Sequence, residues 1–296
     1  MNCDELIHMH KISGRRDILP CRLLFAIGDD MKQRLDVLLT EKNFFDSRSR
    51  AQAMIMAGKI LVDGRKIDKA GTLVASDAEI RVLGDEMPFV SRGGLKLQKA
   101  LDTFAIDLRG KIAADVGAST GGFTDCMLQR GAAKVYAIDV GYGQLAWKLR
   151  QDSRVVNMER TNIRNVTREN FSDEPDFASI DVAFISLEKV LPVVFDVLKP
   201  SAQLVALIKP QFEAGRENVG KHGVVRDKNV HAQVVERLLN FAAEVGFGVA
   251  GLTFSPVKGP EGNIEYLAYL VKNSSTAAVD TNEIAAIVNS AHEELN

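Results

Sequence analysis

The sequence predicts an α/β fold: a seven-stranded, mostly parallel, doubly wound sheet preceded by a small α+β module. Three observations carry that expectation. From about residue 90 onward, strand-type runs alternate with helix-type runs. A glycine-rich turn, Asp115-Val-Gly-Ala-Ser-Thr-Gly-Gly-Phe-Thr-Asp125, joins the first of those strands to a helix. Before residue 90 the elements are short and include a hairpin signal. The 296 residues, 46% hydrophobic and 26% charged, supply core material for two domains and exclude extended disorder or low-complexity architecture.

Residues 1–30 show no clean periodicity and are read as an N-terminal extension, with His8 and His10 incidental rather than metal-binding. A regular pattern begins at Met31. Leu35, Leu38 and Leu39 mark one face of a short helix, and Asp46 or Ser47 can cap a second whose inner face is Ala51, Met54 and Ile55 before Gly58 ends it. Lys59 to Ile67 reads as two strands around the turn Asp63-Gly64, and Ala78 to Leu83 as a further strand. Residues 84–88 form the linker, so the first domain is taken as 31–88.

The second domain is taken as 89–273. Leu97, Ala100, Leu101 and Phe104 line an opening amphipathic helix. Strands follow at 112–116, 134–139, 155–158, 177–184 and 204–209, a helix at about 229–245, and a final pair of strands near 247–254 and 264–271. That final pair suits antiparallel pairing, which fits a methyltransferase-type sheet better than a six-stranded dinucleotide fold. Residues 274–296 are expected to be a partly helical tail.

Composition narrows the functional classes. Cys3, Cys21 and Cys126 form no CxxC pair, which argues against a disulfide framework or a cysteine zinc site and for a reducing cytoplasm. No run approaches the roughly 20 apolar residues of a membrane span, and residues 1–30 lack a signal-peptide pattern. The formal net charge is −2, but residues 31–96 hold 12 Lys/Arg against 9 Asp/Glu while the remainder is acidic. A mildly basic module on a mildly acidic body suits a nucleic-acid-facing part joined to a catalytic part.

The glycine-rich turn carries the chemistry. Gly117, Gly121 and Gly122 exceed the needs of a tight turn and allow backbone to approach a ligand. The spacing is neither GxGxxG nor GxxxxGK[ST], which weakens dinucleotide and nucleotide triphosphate readings. Asp139 ends the second strand, where a carboxylate can accept both ribose hydroxyls of an adenosine. An adenosine site without a pyrophosphate cradle points to S-adenosylmethionine. Asp181-Val-Ala-Phe-Ile-Ser186 is not the Pro-Pro-aromatic turn of amino-group methylation, and Cys126 is placed in the core, away from a nucleophile's position. At the carboxyl edge of the sheet remain Asp181, Lys209 and Glu265, with Lys96 on the preceding helix. A lysine ending an apolar strand suits a base, because desolvation disfavours the charged ammonium.

The motifs Arg-Leu-Asp-Val-Leu-Leu, Ser-Arg-Ala-Gln-Ala-Met-Ile-Met-Ala-Gly, Ser-Arg-Gly-Gly-Leu-Lys, Asp-Val-Gly-Ala-Ser-Thr-Gly-Gly-Phe-Thr-Asp and Ile-Lys-Pro-Gln-Phe-Glu resemble the TlyA family over about residues 31–272. That family, often labelled haemolysins, joins an S4-type RNA-binding domain to an FtsJ-like methyltransferase domain of the Rossmann-like class I type. The resemblance implies methylation of a ribose 2′-hydroxyl, cytidine being favoured, in the RNA of ribosomal subunits. It puts a catalytic tetrad on Lys96, Asp181, Lys209 and Glu265, and cofactor contacts on Asp115, Gly117, Ser119, Thr120, Gly121, Gly122, Phe123 and Asp139. Arg34, Arg48, Arg50, Lys59, Arg65, Lys66 and Arg92 are then the expected RNA contacts, and Glu213 to Asp227 a segment ordering over the acceptor.

Two competing classes are a membrane-lytic protein and an RNA-binding assembly factor with a degenerate enzyme domain. The first lacks a spanning segment or a strongly amphipathic basic helix. The second conflicts with the intact Asp115 and Asp139 pair and a complete tetrad. An NAD-linked oxidoreductase is disfavoured by the glycine spacing.

Overall fold

A computed structural model describes residues 32–42, 44–45, 47–83, 87–275 and 280–295. The extension 1–30, the candidate cap Asp46 and residues 84–86 of the expected linker lie outside the described residues. The chain divides into two compact units between residues 86 and 87.

In the first unit, β1 (Lys32–Arg34) runs directly into α1 (Leu35–Glu41), followed by α2 (Arg48–Met56), β2 (Ile60–Val62), β3 (Arg65–Ile67), β4 (Leu73–Ala75) and β5 (Ile80–Val82). The Ser47 hydroxyl accepts the Arg50 amide at the start of α2. At its end, the Lys59 and Gly58 amides donate to the Met54 and Ile55 carbonyls with Gly58 at φ +64°, a Schellman closure. Asp63 and Gly64 both adopt positive φ, the requirement of the two-residue turn joining β2 to β3. Leu35, Leu39, Ala51, Ile55 and Ile60 form the core. Pairing of β1 with β4 was not anticipated, because three residues per strand are too few to show alternation.

A buried carboxylate organises this unit's first helices. Asp36 accepts hydrogen bonds from Arg34 Nε (3.0 Å), Arg48 (2.9 Å) and Gln52 Nε2 (2.7 Å). These donors, Arg34 foremost, hold its carboxyl well below the usual range despite burial.

The second unit contains α3 (Gly93–Thr103), β6 (Ile112–Val116), α4 (Gly122–Gln129), β7 (Lys134–Ile138), α5 (Trp147–Arg150), β8 (Val155–Met158), β9 (Phe177–Ile180), α6 (Leu191–Val197), β10 (Gln203–Ile208), α7 (Pro210–Glu213), α8 (Lys228–Val245), β11 (Phe247–Phe254), β12 (Tyr266–Lys272) and α9 (Thr281–Leu295). The seven strands lie in the order β11-β12-β10-β9-β6-β7-β8. β6, β7, β8, β9 and β10 pair in parallel, while β12 runs antiparallel to both β10 and β11. This is the doubly wound sheet expected, with α6, α8 and α9 packed on one face and α3, α4 and α5 on the other. The order reverses between β6 and β9, the place where such sheets bind ligands.

Two boundaries differ from expectation. β9 stops at Ile180 instead of continuing to Phe184, since Phe184 adopts φ +62° and cannot extend a strand. The C-terminal helix is also no mere tail. Ile284, Val288 and Ala291 of α9 are buried in the same core as α8 and β11. Cys126 is core, as read, and burial pushes its thiol up to about 12.

Truncation of Ile284 to alanine leaves a cavity in this core. It should cost about 2–5 kcal/mol in denaturant-induced unfolding, where a dispensable tail would show no change.

Candidate functional site

The carboxyl ends of β6 and β9 meet closely. Gly117, at φ +89°, stands where a Cβ would fall 2.4 Å from the Asp181 carbonyl oxygen. Its amide and that of Ala118 donate to the Ile138 carbonyl (2.9 and 3.1 Å), which ties the turn to β7. Asp139 completes the frame: its oxygens accept the Ser119 and Gly141 amides, each at 2.7 Å. A carboxylate has further lone pairs beyond those two bonds, so Asp139 retains acceptor capacity on the cleft it lines.

The glycine pairs allow two helices to cross. A Cβ on Gly122 would lie 2.3 Å from Ser91 Oγ and 2.9 Å from the Gly94 amide, and one on Gly94 would strike the Phe89 ring. Only without those side chains can the start of α3 seat against the start of α4, and that seating carries Lys96 to the sheet edge.

Two lobes share Gly117, Ser119, Asp181 and Ala183. The larger, about 910 Å³, is lined by Ile138, Asp139, Val140, Gln144, Thr161, Asn162, Ile163 and Phe184 among others. Apolar side chains beside Asp139 in this lobe suit the base and sugar of a nucleoside. The smaller, about 250 Å³, is lined by Thr120, Gly122 and Phe123 and contains Lys96, Asp181, Lys209 and Glu265 together. Lys96 Nζ donates to Glu265 Oε2, and Lys209 Nζ pairs with Asp181 Oδ1, both at 2.5 Å. Two ion pairs thus sit in a largely desolvated lobe, each charge paired. Glu265 reaches this edge because β12 is reversed: the residue before its first position lies beside the ends of β9 and β10.

Asp115 departs from its expected role. It is fully buried and lines neither lobe. The hydroxyls of Thr124 (2.6 Å) and Ser179 (3.2 Å) donate to it, and burial pushes its carboxyl up to about 7. It braces β6 against α4 and β9 from beneath the turn. Gly121, with φ +96°, also lines neither lobe. A Cβ there would meet Leu149 and Leu145, so this glycine serves packing.

Several lining residues were not anticipated. Phe184 is 91% exposed, with its ring 5.0 Å from that of Phe212, and Lys209 Nζ lies 5.8 Å from the Phe212 centroid. Its apolar neighbours made it look like strand. Thr161, Asn162, Ile163 and Arg164 carried no signal beyond their place after β8. No residue of 213–227 lines the smaller lobe, and His222 is exposed at φ +66°.

The expected RNA contacts fall into subsets. Arg34 and Arg48, both half-exposed, share Asp36. The Lys66 stem crosses Gly58, next to Lys59. Arg50, Lys59, Arg65 and Lys66 are exposed in the first unit, and exposed Arg92 precedes α3 in the second.

A family model described as FtsJ-like methyltransferase matches residues 89–272, and an S4 domain model matches residues 33–80. The chain is 50% identical over 268 residues to the Bacillus subtilis (strain 168) protein YqxC, named for rRNA methylation, covering 89% of this chain and 95% of that protein. It is 45% identical over 240 residues to the Mycobacterium tuberculosis (strain ATCC 25618 / H37Rv) protein named 16S/23S rRNA (cytidine-2′-O)-methyltransferase TlyA, covering 81% and 90%. A solved structure titled as a hemolysin from Streptococcus thermophilus matches with TM-score 0.71 and 47% identity over 90% of this chain and 97% of that one.

Two substitutions test the frame. Gly117→Ala, strained by φ and blocked by the Asp181 carbonyl, should cost about 1–3 kcal/mol in denaturant-induced unfolding. Asp115→Asn should gain in melting temperature relative to wild type as pH rises from about 4 to 7. A carboxyl raised from 3.8 to about 7 in the folded protein contributes stability at low pH that is lost across that window, and asparagine does not titrate.

Proposed function

The chain belongs to the FtsJ-like methyltransferase family, in the TlyA branch that adds an S4 domain, and from that premise we propose that it methylates a ribose 2′-hydroxyl, that of a cytidine, in ribosomal RNA with S-adenosylmethionine as donor. The observation that carries this reading is the pairing of Lys96 with Glu265 and of Lys209 with Asp181 in one small lobe adjoining a cleft suited to an adenosine. Relatives named for rRNA cytidine-2′-O-methylation support the choice of polymer and nucleotide. Such a substrate goes with a cytoplasmic location.

Asp139 would accept the ribose hydroxyls of the donor, and the turn from Gly117 to Phe123 would enclose its amino-acid end. When bound, S-adenosylmethionine supplies a methyl group already activated by the sulfonium. Lys209 gives its own proton to water first and, as the neutral amine, takes up the proton that the acceptor hydroxyl loses, with Asp181 orienting the lysine. Lys96 offsets negative charge growing on the oxygen, and Glu265 holds Lys96. Holding the hydroxyl in line with the methyl supplies much of the rate, and proton removal adds roughly 10²–10⁴-fold. Phe184, exposed on the larger lobe next to Ala183, which both lobes share, offers a face on which the base of the acceptor nucleotide stacks. Arg34, Arg48, Arg50, Lys59, Arg65, Lys66 and Arg92 would hold the RNA by phosphate contacts.

Membrane lysis draws no support from the fold: among the described residues no helix is long and apolar enough to cross a membrane.

Mapping ribose methylation across ribosomal RNA with and without the protein tests the reading directly. One or more protein-dependent 2′-O-methylcytidines are expected, and their absence would overturn it. Lys209→Ala should abolish transfer from labelled donor while leaving donor affinity within about threefold. Near-normal transfer by that variant would remove the lysine from the chemistry.

A further inference from the structure

Glu265 is almost wholly buried, so the orientation of its carboxylate depends on how its two flanks are held. Both flanks belong to one chain of hydrogen bonds. The Tyr266 hydroxyl donates to His231 Nδ1 (2.7 Å), and His231 Nε2 donates to the Val225 carbonyl (3.0 Å). The Val225 amide in turn donates to Asn263 Oδ1 (3.1 Å), and Asn263 Nδ2 donates to the Gly223 carbonyl (2.8 Å). A carbonyl opposite Nε2 requires the proton there, which leaves the Nδ1 lone pair to accept from tyrosine at 2.7 Å, with His292 Nε2 farther off at 3.4 Å. The donors therefore all run in one direction, and each bond polarises the next.

His231, Asn263 and Tyr266 are all buried, so an unmade bond here is costly. The loop held by this chain presses on the carboxylate itself. The Asn263 carbonyl accepts the Gly259 amide (2.9 Å), and a Cβ on Gly259 would lie 2.6 Å from Glu265 Oε1. Pro260, in the same loop, lines the lobe that contains Lys96.

We propose that Asn263 and His231 are positioning residues, which act through Glu265 by locking the residues on either side of it to the segment 223–225. The proposal rests on the methyltransferase reading above. It also gives the stretch from Glu213 to Asp227 a role other than covering the acceptor: its end is the fixed post to which the glutamate's loop is tied.

The test is a double-mutant cycle on the full chain, with methyl transfer to ribosomal RNA and donor affinity both measured. Asn263→Ala should lower kcat at least tenfold with donor affinity within threefold. In a Glu265→Ala background the same change should cost less than twofold, because the residue through which it acts is gone. His231→Leu should behave alike. Asn263→Asp, similar in size but unable to donate to the Gly223 carbonyl, serves if the alanine variant does not fold. Losses that multiply across the cycle would overturn the proposal while leaving the tetrad standing. Wild-type kcat in Glu265→Ala alone would instead sink the tetrad reading, and the positioning role with it.

Discussion

The close approach of the turn after β6 to the end of β9 is the constraint on which the rest of the second unit depends. Gly117 lies against the Asp181 carbonyl with no room for a Cβ. That contact brings the cleft carrying Asp139 and the lobe carrying the two ion pairs within one shared wall. Beneath the turn, Asp115 is satisfied by Thr124 and Ser179. Move the turn outward by the width of a methyl group and the two lobes separate.

Charge is handled the same way in both units. The carboxylates that carry these sites are each held by donors within their own unit. Asp36 gathers two arginines and a glutamine, while Glu265 and Asp181 each hold a lysine. Burying a lone charge costs several kcal/mol, whereas a paired and hydrogen-bonded one is tolerated. Pairing of this kind fixes the positions of the charged side chains in both units.

Much of this was legible in residues alone. Alternating runs and the glycine-rich turn disclosed the sheet, and Cys126 read correctly as core. The four charged residues of the small lobe were named from their places at the sheet edge and on the preceding helix and joined into a tetrad by resemblance, but which lysine faces which carboxylate was not readable, since Lys96 and Glu265 are 169 positions apart. Phe184 was mistaken for strand because its neighbours are apolar, and only its backbone angle shows otherwise. Asp115 looked like a ligand contact because motif position says nothing of which way a side chain turns. The pairing of β1 with β4 and the burial of α9 escaped for a similar reason. Both depend on distant partners, and local periodicity is silent about those.

The reversed strand β12 has a consequence for the order of assembly. It is inserted between β10 and β11, and its leading edge delivers Glu265 to a lysine laid down near the beginning of the domain. A chain emerging from synthesis can complete the parallel half of the sheet and the larger cleft first, yet the smaller lobe stays one carboxylate short until this late piece slots in. Contacts of such long range form slowly. The paired charges of the smaller lobe are therefore complete only when the sheet is.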